Sequence, residues 1–253
     1  MTNSSKPEQE LSRRDFLKGG AALSAATIAP GILLYTAADA RNLDQSASSA
    51  VRWGMLIDTT ACESGCNECI TACQQENGWG EISASEPNSR PEQQAQWIRK
   101  VELKDKSTGK QHSLPMLCQH CENPPCVDVC PTTASFKRAD GIVLVDRHLC
   151  IGCRFCMMAC PYKARSFVHE SLHQQKEHMP RGKGCVEGCT LCVHKLDAGE
   201  GTTACAAACS KGAILVGDLK DESSEISQRV AKYASTQIRA DLALNPGVRY
   251  QGI

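Results

Sequence analysis

CQHCENPPCVDVCPTTASFKRADGIVLVDRHLCIGCRFCMMACP, running from Cys118 to Pro161, decides how the rest of the chain is read. It holds eight cysteines as two groups of four, and each group closes on Cys-Pro. The second group is Cys150, Cys153, Cys156 and Cys160 before Pro161, spaced C-x₂-C-x₂-C-x₃-C-P. Three thiols this close in sequence let one loop wrap three corners of a small inorganic core, while a fourth ligand arrives from elsewhere. The spacing, the terminal proline and the presence of a second group all argue against a chance or disulfide reading.

The spacing resembles the cluster loop of bacterial ferredoxins, in which the fourth cysteine ligates the neighbouring [4Fe–4S] cluster. Working outward, two further groups flank the quoted stretch. Cys62, Cys66, Cys69 and Cys73 are spaced x₃, x₂, x₃, and Cys189, Cys192, Cys205 and Cys209 are spaced x₂, x₁₂, x₃. In the quoted stretch itself, Cys118, Cys121, Cys126 and Cys130 are spaced x₂, x₄, x₃, with Pro124-Pro125 stiffening the longer gap. The groups form an internal repeat. Trp53–Asp58 precedes Cys62 as Ile142–Asp146 precedes Cys150, each an apolar strand ending in an aspartate four residues before its cysteine. Cys130, Cys160 and Cys209 each have an alanine four residues on (Ala134, Ala164, Ala213), with Phe136, Phe167 or Leu215 soon after. Sixteen thiolates suffice for four cubanes, and mutual exchange of the fourth ligand makes pairs the natural unit. In a nested arrangement the inner sets are Cys118, Cys121, Cys126 with Cys160, and Cys150, Cys153, Cys156 with Cys130. The outer sets are then Cys62, Cys66, Cys69 with Cys209, and Cys189, Cys192, Cys205 with Cys73.

The 253 residues contain 17 cysteines but only 4% aromatic residues, so metal crosslinks take over much of what an aliphatic core supplies elsewhere. Net charge is zero, which removes an electrostatic case for nucleic acid or anionic lipid. Ser12-Arg13-Arg14-Asp15-Phe16-Leu17-Lys18 matches the twin-arginine export pattern. The modestly apolar run Gly19–Thr36 and the A-x-A-type site Ala38-Asp39-Ala40 follow. Residues 1–40 read as a signal peptide for a protein exported already folded, with a retained membrane anchor as the alternative. Such export lets cysteines bind clusters despite an oxidising destination.

The expected fold is α+β, with tandem bacterial-ferredoxin-like modules of short hairpins and helices around four [4Fe–4S] clusters. Residues 41–52 read as a flexible leader and 53–217 as the four-cluster domain. Its modules fall near 53–82, 109–140, 141–170 and 185–217. Residues 218–253 read as a C-terminal helix and tail. Residues 81–96 suggest a surface loop, Trp97–Leu103 a strand, and Asp105–Gly109 a turn. Ala134–Asp146 suggests a hairpin turning at Asp140-Gly141, and Ala213–Val216 a strand closing the last module. A helix is expected over Ser224–Ser235, then an extended tail through Leu244–Tyr250, of a sort that more often drapes over a neighbour than carries chemistry, with both readings left open.

The order of groups, the x₁₂ gap and the twin-arginine leader together resemble the four-cluster iron–sulfur subunits of membrane-bound oxidoreductases, such as polysulfide, tetrathionate and dimethyl sulfoxide reductases. The resemblance covers about residues 50–217, and nested exchange is that family's pattern. Within it, Trp53–Thr60 and Asn245–Gly252 are most similar to the periplasmic subunits of transmembrane complexes linked to dissimilatory sulfite reductase. The resemblance implies a non-catalytic electron wire at the membrane in sulfur-compound metabolism. It also implies a polytopic quinone-interacting membrane subunit at one end and a cytochrome or catalytic redox subunit at the other, with membrane association through those partners. Two departures fall on the outer pair: the x₃ gap of the first group, with Gly65 to absorb it, and Ser210 in place of proline after Cys209. The beta subunit of another periplasmic reductase or hydrogenase is the nearest alternative. A structural zinc or disulfide protein is the alternative from another class.

Cys185 is the odd cysteine. Cys185-x₃-Cys189-x₂-Cys192 copies the first group's spelling, which makes Cys185 a competitor of Cys205 or else a free thiol. His169-Glu170-Ser171-Leu172-His173 spells the zinc-protease motif H-E-x-x-H with His178 just beyond, yet it lies in a short polar connector and reads as a solvated segment. The C-x₃-C-x₂-C spelling of radical-SAM enzymes lacks the strand–helix run it needs here. No C-x-x-C-H for haem and no nucleotide-binding glycine motif occurs. His120, His148, Lys163, Arg165, His194 and Lys195 flank the cysteines as candidates for tuning cluster potentials, or as ordinary solvated side chains.

Overall fold

The computed structural model describes residues 46–80, 89–173 and 175–253. The export signal and part of the 81–96 loop therefore lie outside the described residues. Strand β1 (Trp53–Asp58) forms where expected, and Met55, Leu56 and Ile57 are fully buried. Both faces of an apolar strand are buried only when it sits between neighbours, and β1 does. It pairs antiparallel with β8 (Ile214–Asp218), Ile57 facing Ile214, and parallel with β10 (Val248–Gln251), Ile57 facing Tyr250. Strand β9 (Ser235–Thr236) completes the sheet order β8-β1-β10-β9.

Three two-stranded ribbons make up the rest of the strand content. Strands β2 (Arg99–Lys104) and β3 (Gln111–Met116) pair across the Asp105–Gly109 turn, which the Gly109 N–H closes onto the Asp105 carbonyl at 2.9 Å. Strands β4 (Ser135–Lys137) and β5 (Val143–Val145) form the expected hairpin between groups two and three. Strands β6 (Arg165–Phe167) and β7 (Val186–Gly188) bring the long polar connector back to the fourth group.

Helix α1 (Glu68–Asn77) carries Cys69 and Cys73, four residues apart and so on one face, and stops at Gly78 in the left-handed region. The others that bear cysteines are single turns: α2 (Pro125–Asp128) with Cys126, α3 (Phe155–Ala159) with Cys156, and α5 (Ala204–Ala207) with Cys205. Thr203 caps α5, its hydroxyl accepting the Ala206 N–H. Helix α4 (Val193–Asp197) follows Cys192. Helices α1 and α5 pack together, as do α2 and α3. First meets fourth and second meets third, the nested order of the sequence.

The C-terminal stretch departs from expectation. Helix α6 (Glu225–Lys232) is shorter than Ser224–Ser235, because Tyr233 turns extended and Ser235 enters β9 opposite Gln251. The tail enters the chain's own sheet as β10. There Tyr250 is fully buried, donating its hydroxyl to the Pro115 carbonyl at 3.0 Å. Pro246 bridges to Cys121. At the other end Arg52, the last leader residue, forms an ion pair with Glu122 and donates to the Asn245 carbonyl. Among the described residues no helix is long and apolar enough to cross a membrane.

Candidate metal centres

The repeat extends into the backbone. In all four groups the residue before the second cysteine adopts a left-handed conformation: Gly65 (φ 79°), His120 (43°), Gly152 (70°) and Leu191 (54°). Gly65 thus occupies the same turn as its counterparts, and the extra residue of the first group lies between Cys62 and Gly65, not at the glycine. At Gly152 a side chain is excluded twice over, because a Cβ would meet the Gly184 carbonyl oxygen at 2.2 Å. The third residue after the closing cysteine is also left-handed in three groups: Thr133, Lys163 and Gly212. That turn drives the next residue inward, which is why Ala134, Ala164 and Ala213 are all buried.

These turns gather the thiols. Cys118, Cys121, Cys126 and Cys160 line one pocket, and Cys62, Cys66, Cys69 and Cys209 line another. Cys73 lies within electrostatic reach of Cys205 and Cys192, and Cys189 within reach of all three. Cys156 has the same relation to Cys150 and Cys130, and Cys153 sits on the same loop. The four gatherings also touch in sequence: Cys205 interacts with Cys69, Cys189 with Cys118, and Cys126 with Cys156. They lie in a row, from the Cys62 gathering through those of Cys73 and Cys118 to that of Cys150.

Burial varies along this row. All four cysteines of the Cys73 gathering are buried, as are three of the Cys118 gathering. At one end Cys62, Cys66 and Cys209 are half-buried, and at the other Cys153 is exposed. Around Cys153 stand Leu149 and Phe155, each 50% exposed, and Ile151 and Met158, each 67% exposed. So apolar a rim is unusual on a surface that has only water to face.

Burial pushes the thiols up: Cys69 to about 11, and Cys118, Cys121 and Cys205 to about 12. A thiolate in such a place is stable only against the positive charge of a metal. Hydrogen-bond donors point at the sulfurs as well. The amides of Ser135, Val186, Leu191 and Ala213 donate to Cys130, Cys150, Cys189 and Cys209 at 3.3–3.4 Å, and the Trp79 indole donates to Cys73 at 3.1 Å. At half-exposed Cys130 burial is outweighed by such donors, led by Ser135, and its thiol lies below its ordinary value. Sets of four sulfurs with N–H donors are a donor set that fits iron–sulfur clusters.

Two candidate tuning residues are buried at the centre. Arg165 on β6 donates to the Ser135 hydroxyl at 2.8 Å, and its other terminal nitrogen has no hydrogen-bond partner. Burial alone would lower its pKa, but Cys126, Cys118 and Cys156 outweigh that and raise it. A guanidinium therefore sits between the two inner gatherings. His120 is pushed down to about 3 by burial and then by Arg165. It stays neutral, its Nδ1 accepting the Val143 N–H at 3.1 Å. The others look outward: His148 and Lys163 are exposed, Lys195 pairs with Glu200, and His194 meets Glu76.

Cys185 does not approach Cys205. Its sulfur lies 3.4 Å from the Arg147 carbonyl and 3.9 Å from that of Cys150, beside the inner gathering, because β7 carries the chain away from there before Cys189. Residues 169–173 form no helix, so the two histidines of H-E-x-x-H share no helical face. Ser171 and His173 are exposed, but Glu170 is buried and accepts the Ser89 N–H at 2.8 Å, which departs from a fully solvated connector. Sequence reasoning missed the buried ion pair Arg181–Glu187 (2.7 Å), which also takes the Trp97 indole N–H at 3.0 Å. No spacing rule signals a pair of that kind.

Comparison with known proteins shows the family to which these cysteine groups belong. Residues 110–219 and 61–134 each match a 4Fe-4S dicluster domain, and residues 10–30 match a twin-arginine translocation pathway signal sequence. The chain is 39% identical to the Hdr-like menaquinol oxidoreductase iron-sulfur subunit 1 of Archaeoglobus fulgidus, over 95% of this chain and 97% of that one. It is 36% identical to a tetrathionate reductase subunit of Salmonella typhimurium (80% and 73% covered). It is 32% identical to the iron-sulfur cluster-binding subunit of menaquinone reductase from Nitratidesulfovibrio vulgaris (79% and 88% covered).

Proposed function

Because the chain belongs to the family of ferredoxin-like iron–sulfur electron-transfer subunits of membrane-bound oxidoreductases, exported by the twin-arginine route, we propose that it holds four [4Fe–4S] clusters and passes single electrons along them in one row. The ligand sets are the nested ones: Cys62, Cys66, Cys69, Cys209; Cys73, Cys189, Cys192, Cys205; Cys118, Cys121, Cys126, Cys160; and Cys130, Cys150, Cys153, Cys156. When bound, the clusters supply the one-electron chemistry. The chain's own residues do the rest. Cysteines fix the spacing, amide donors stabilise charge on sulfur, and Arg165 favours the more negative, reduced state of the two inner clusters.

The observation that carries the reading is the row of thiol gatherings, buried in the middle and accessible at both ends. A relay needs that profile, because interior carriers must be shielded and terminal ones must meet a partner. The ends would serve a quinone-interacting membrane subunit and a second redox subunit, in keeping with the relatives named for menaquinol oxidoreductase, menaquinone reductase and tetrathionate reductase. No catalytic step is assigned to the chain alone. The test is to count iron and record the visible spectrum of the purified chain. About sixteen irons and absorption near 400 nm are expected from four cubanes. A colourless, zinc-loaded protein would overturn the relay in favour of a structural metalloprotein.

A further inference from the structure

Glu76, His178 and His194 converge from three separate segments: the last turn of α1, the loop that carries the Lys176–Met179 bridge, and the first turn of α4. Their sequence separations, 102 and 118 residues, rule out a local accident of helix spacing. The Nε2 of His194 lies 2.7 Å from the Glu76 Oε1. The Nε2 of His178 lies 3.0 Å from the Glu76 main-chain carbonyl oxygen and 3.6 Å from Oε1, so ligation of an ion would exchange that main-chain contact for the metal. The two imidazoles stack at 4.1 Å between centroids with a 32° tilt, and the three ligand atoms all fall within 4.8 Å of one another. The geometry points to a mononuclear site for a divalent transition-metal ion, with Zn²⁺ as its type, held by Glu76, His178 and His194.

The dimensions fit. Zinc bonds of about 2.0–2.1 Å in a tetrahedron put ligand atoms about 3.3 Å apart, and the observed 2.7 and 3.6 Å bracket that value. The charge fits as well. The Glu76 carboxylate oxygen lies in hydrogen-bond contact with His194 and faces both imidazoles. The neighbouring ammonium of Lys195 is neutralised by Glu200 at 2.5 Å. Two imidazoles and a carboxylate are borderline ligands that suit zinc, and they differ in kind from the thiolates that take iron–sulfur clusters. The His178 side chain is 35% exposed, which provides an entry path and leaves the fourth position to water. His194 Nδ1 has no hydrogen-bond partner to fix its tautomer, so the expected affinity is micromolar rather than tighter. A bound ion would fasten the connector loop to α1 and to α4, both next to cysteines of the outer pair.

The experiment is equilibrium dialysis of the full, iron-loaded chain against micromolar Zn²⁺ alone. Metal content, the zinc K-edge absorption spectrum and thermal unfolding are then read. The expected result is one zinc per chain with iron unchanged, a nitrogen and oxygen shell with imidazole scattering, and a raised unfolding midpoint. His178→Ala should keep its iron, weaken zinc about tenfold or more, and lose the rise in midpoint. Glu76→Gln should do the same and decides the matter should His178→Ala lose iron. No uptake at tens of micromolar would overturn the site. So would sulfur in the zinc shell, which marks metal captured by cluster cysteines, or uptake undiminished in both variants.

Discussion

The outer and inner halves of the row share the left-handed turn before each second cysteine but are protected in different ways. The outer half rests under the four-stranded sheet, among Met55, Ile57, Trp79, Ile214, Val248 and Tyr250, all buried. The inner half has only the short ribbons β4–β5 and β6–β7 and small satellite cores around Tyr162 and Val186. In its place it has a buried cation, Arg165, and an exposed apolar rim around Cys153. The spelling that departs from the common pattern lies in the half with the larger core, and the most regular spelling lies in the half nearest solvent. The two departures themselves, near Gly65 and at Ser210, lie on exposed backbone at the accessible end of that half, where an altered loop displaces solvent and no packed neighbour.

Breaking this comparison should have its largest effect at Cys205. Cys205→Ala removes a ligand at the contact between α5 and α1, and it should cost about eight of about sixteen irons, together with soluble yield. Cys153→Ala at the exposed end should cost about four and leave the fold intact. Iron-to-protein ratios decide between these outcomes. Tyr250→Ala empties a fully buried position in the outer half and should destabilise the protein by about 3–5 kcal/mol, read as a lowered unfolding midpoint. Arg165→Gln acts on the inner half alone. Loss of a positive charge disfavours the more negative reduced state, so both inner potentials should fall, on the order of 50–100 mV. An EPR-monitored redox titration checks this, with the outer clusters as internal control. The smallest effect on stability belongs to Ile151→Ser with Met158→Ser, within about 0.5 kcal/mol. That pair should nevertheless slow electron exchange with the partner at this end, measured by stopped-flow reduction.

Much of this architecture is legible in the cysteines because covalent demands leave a local trace. A loop that wraps a cubane needs fixed spacing, and β1 and the Asp140-Gly141 hairpin lie next to such loops. What escapes is what depends on distant partners. Strand β3, spelled QHSLPM, has neither alternation nor β-branched residues, and it becomes a strand because β2 lies beside it. The tail reads only as an extended segment, since nothing near Val248 tells of a parallel partner almost 200 residues away. Cys185 copies the spelling of the first group, but β7 places it beside Cys150 instead. His178 stands in sequence beside the wrong company, because H-E-x-x-H works only on a helix and the residues that meet it are Glu76 and His194.

Strand β10 lies against β1, and every one of the sixteen group cysteines precedes it in the chain. During synthesis, therefore, all the thiols emerge while the side of β1 that β10 will cover is still open. Pairing of Val248–Gln251 beside Met55–Asp58 can therefore follow, and never precede, synthesis of the sixteen group cysteines, so the sheet that covers the outer half is completed by the last strand the chain supplies.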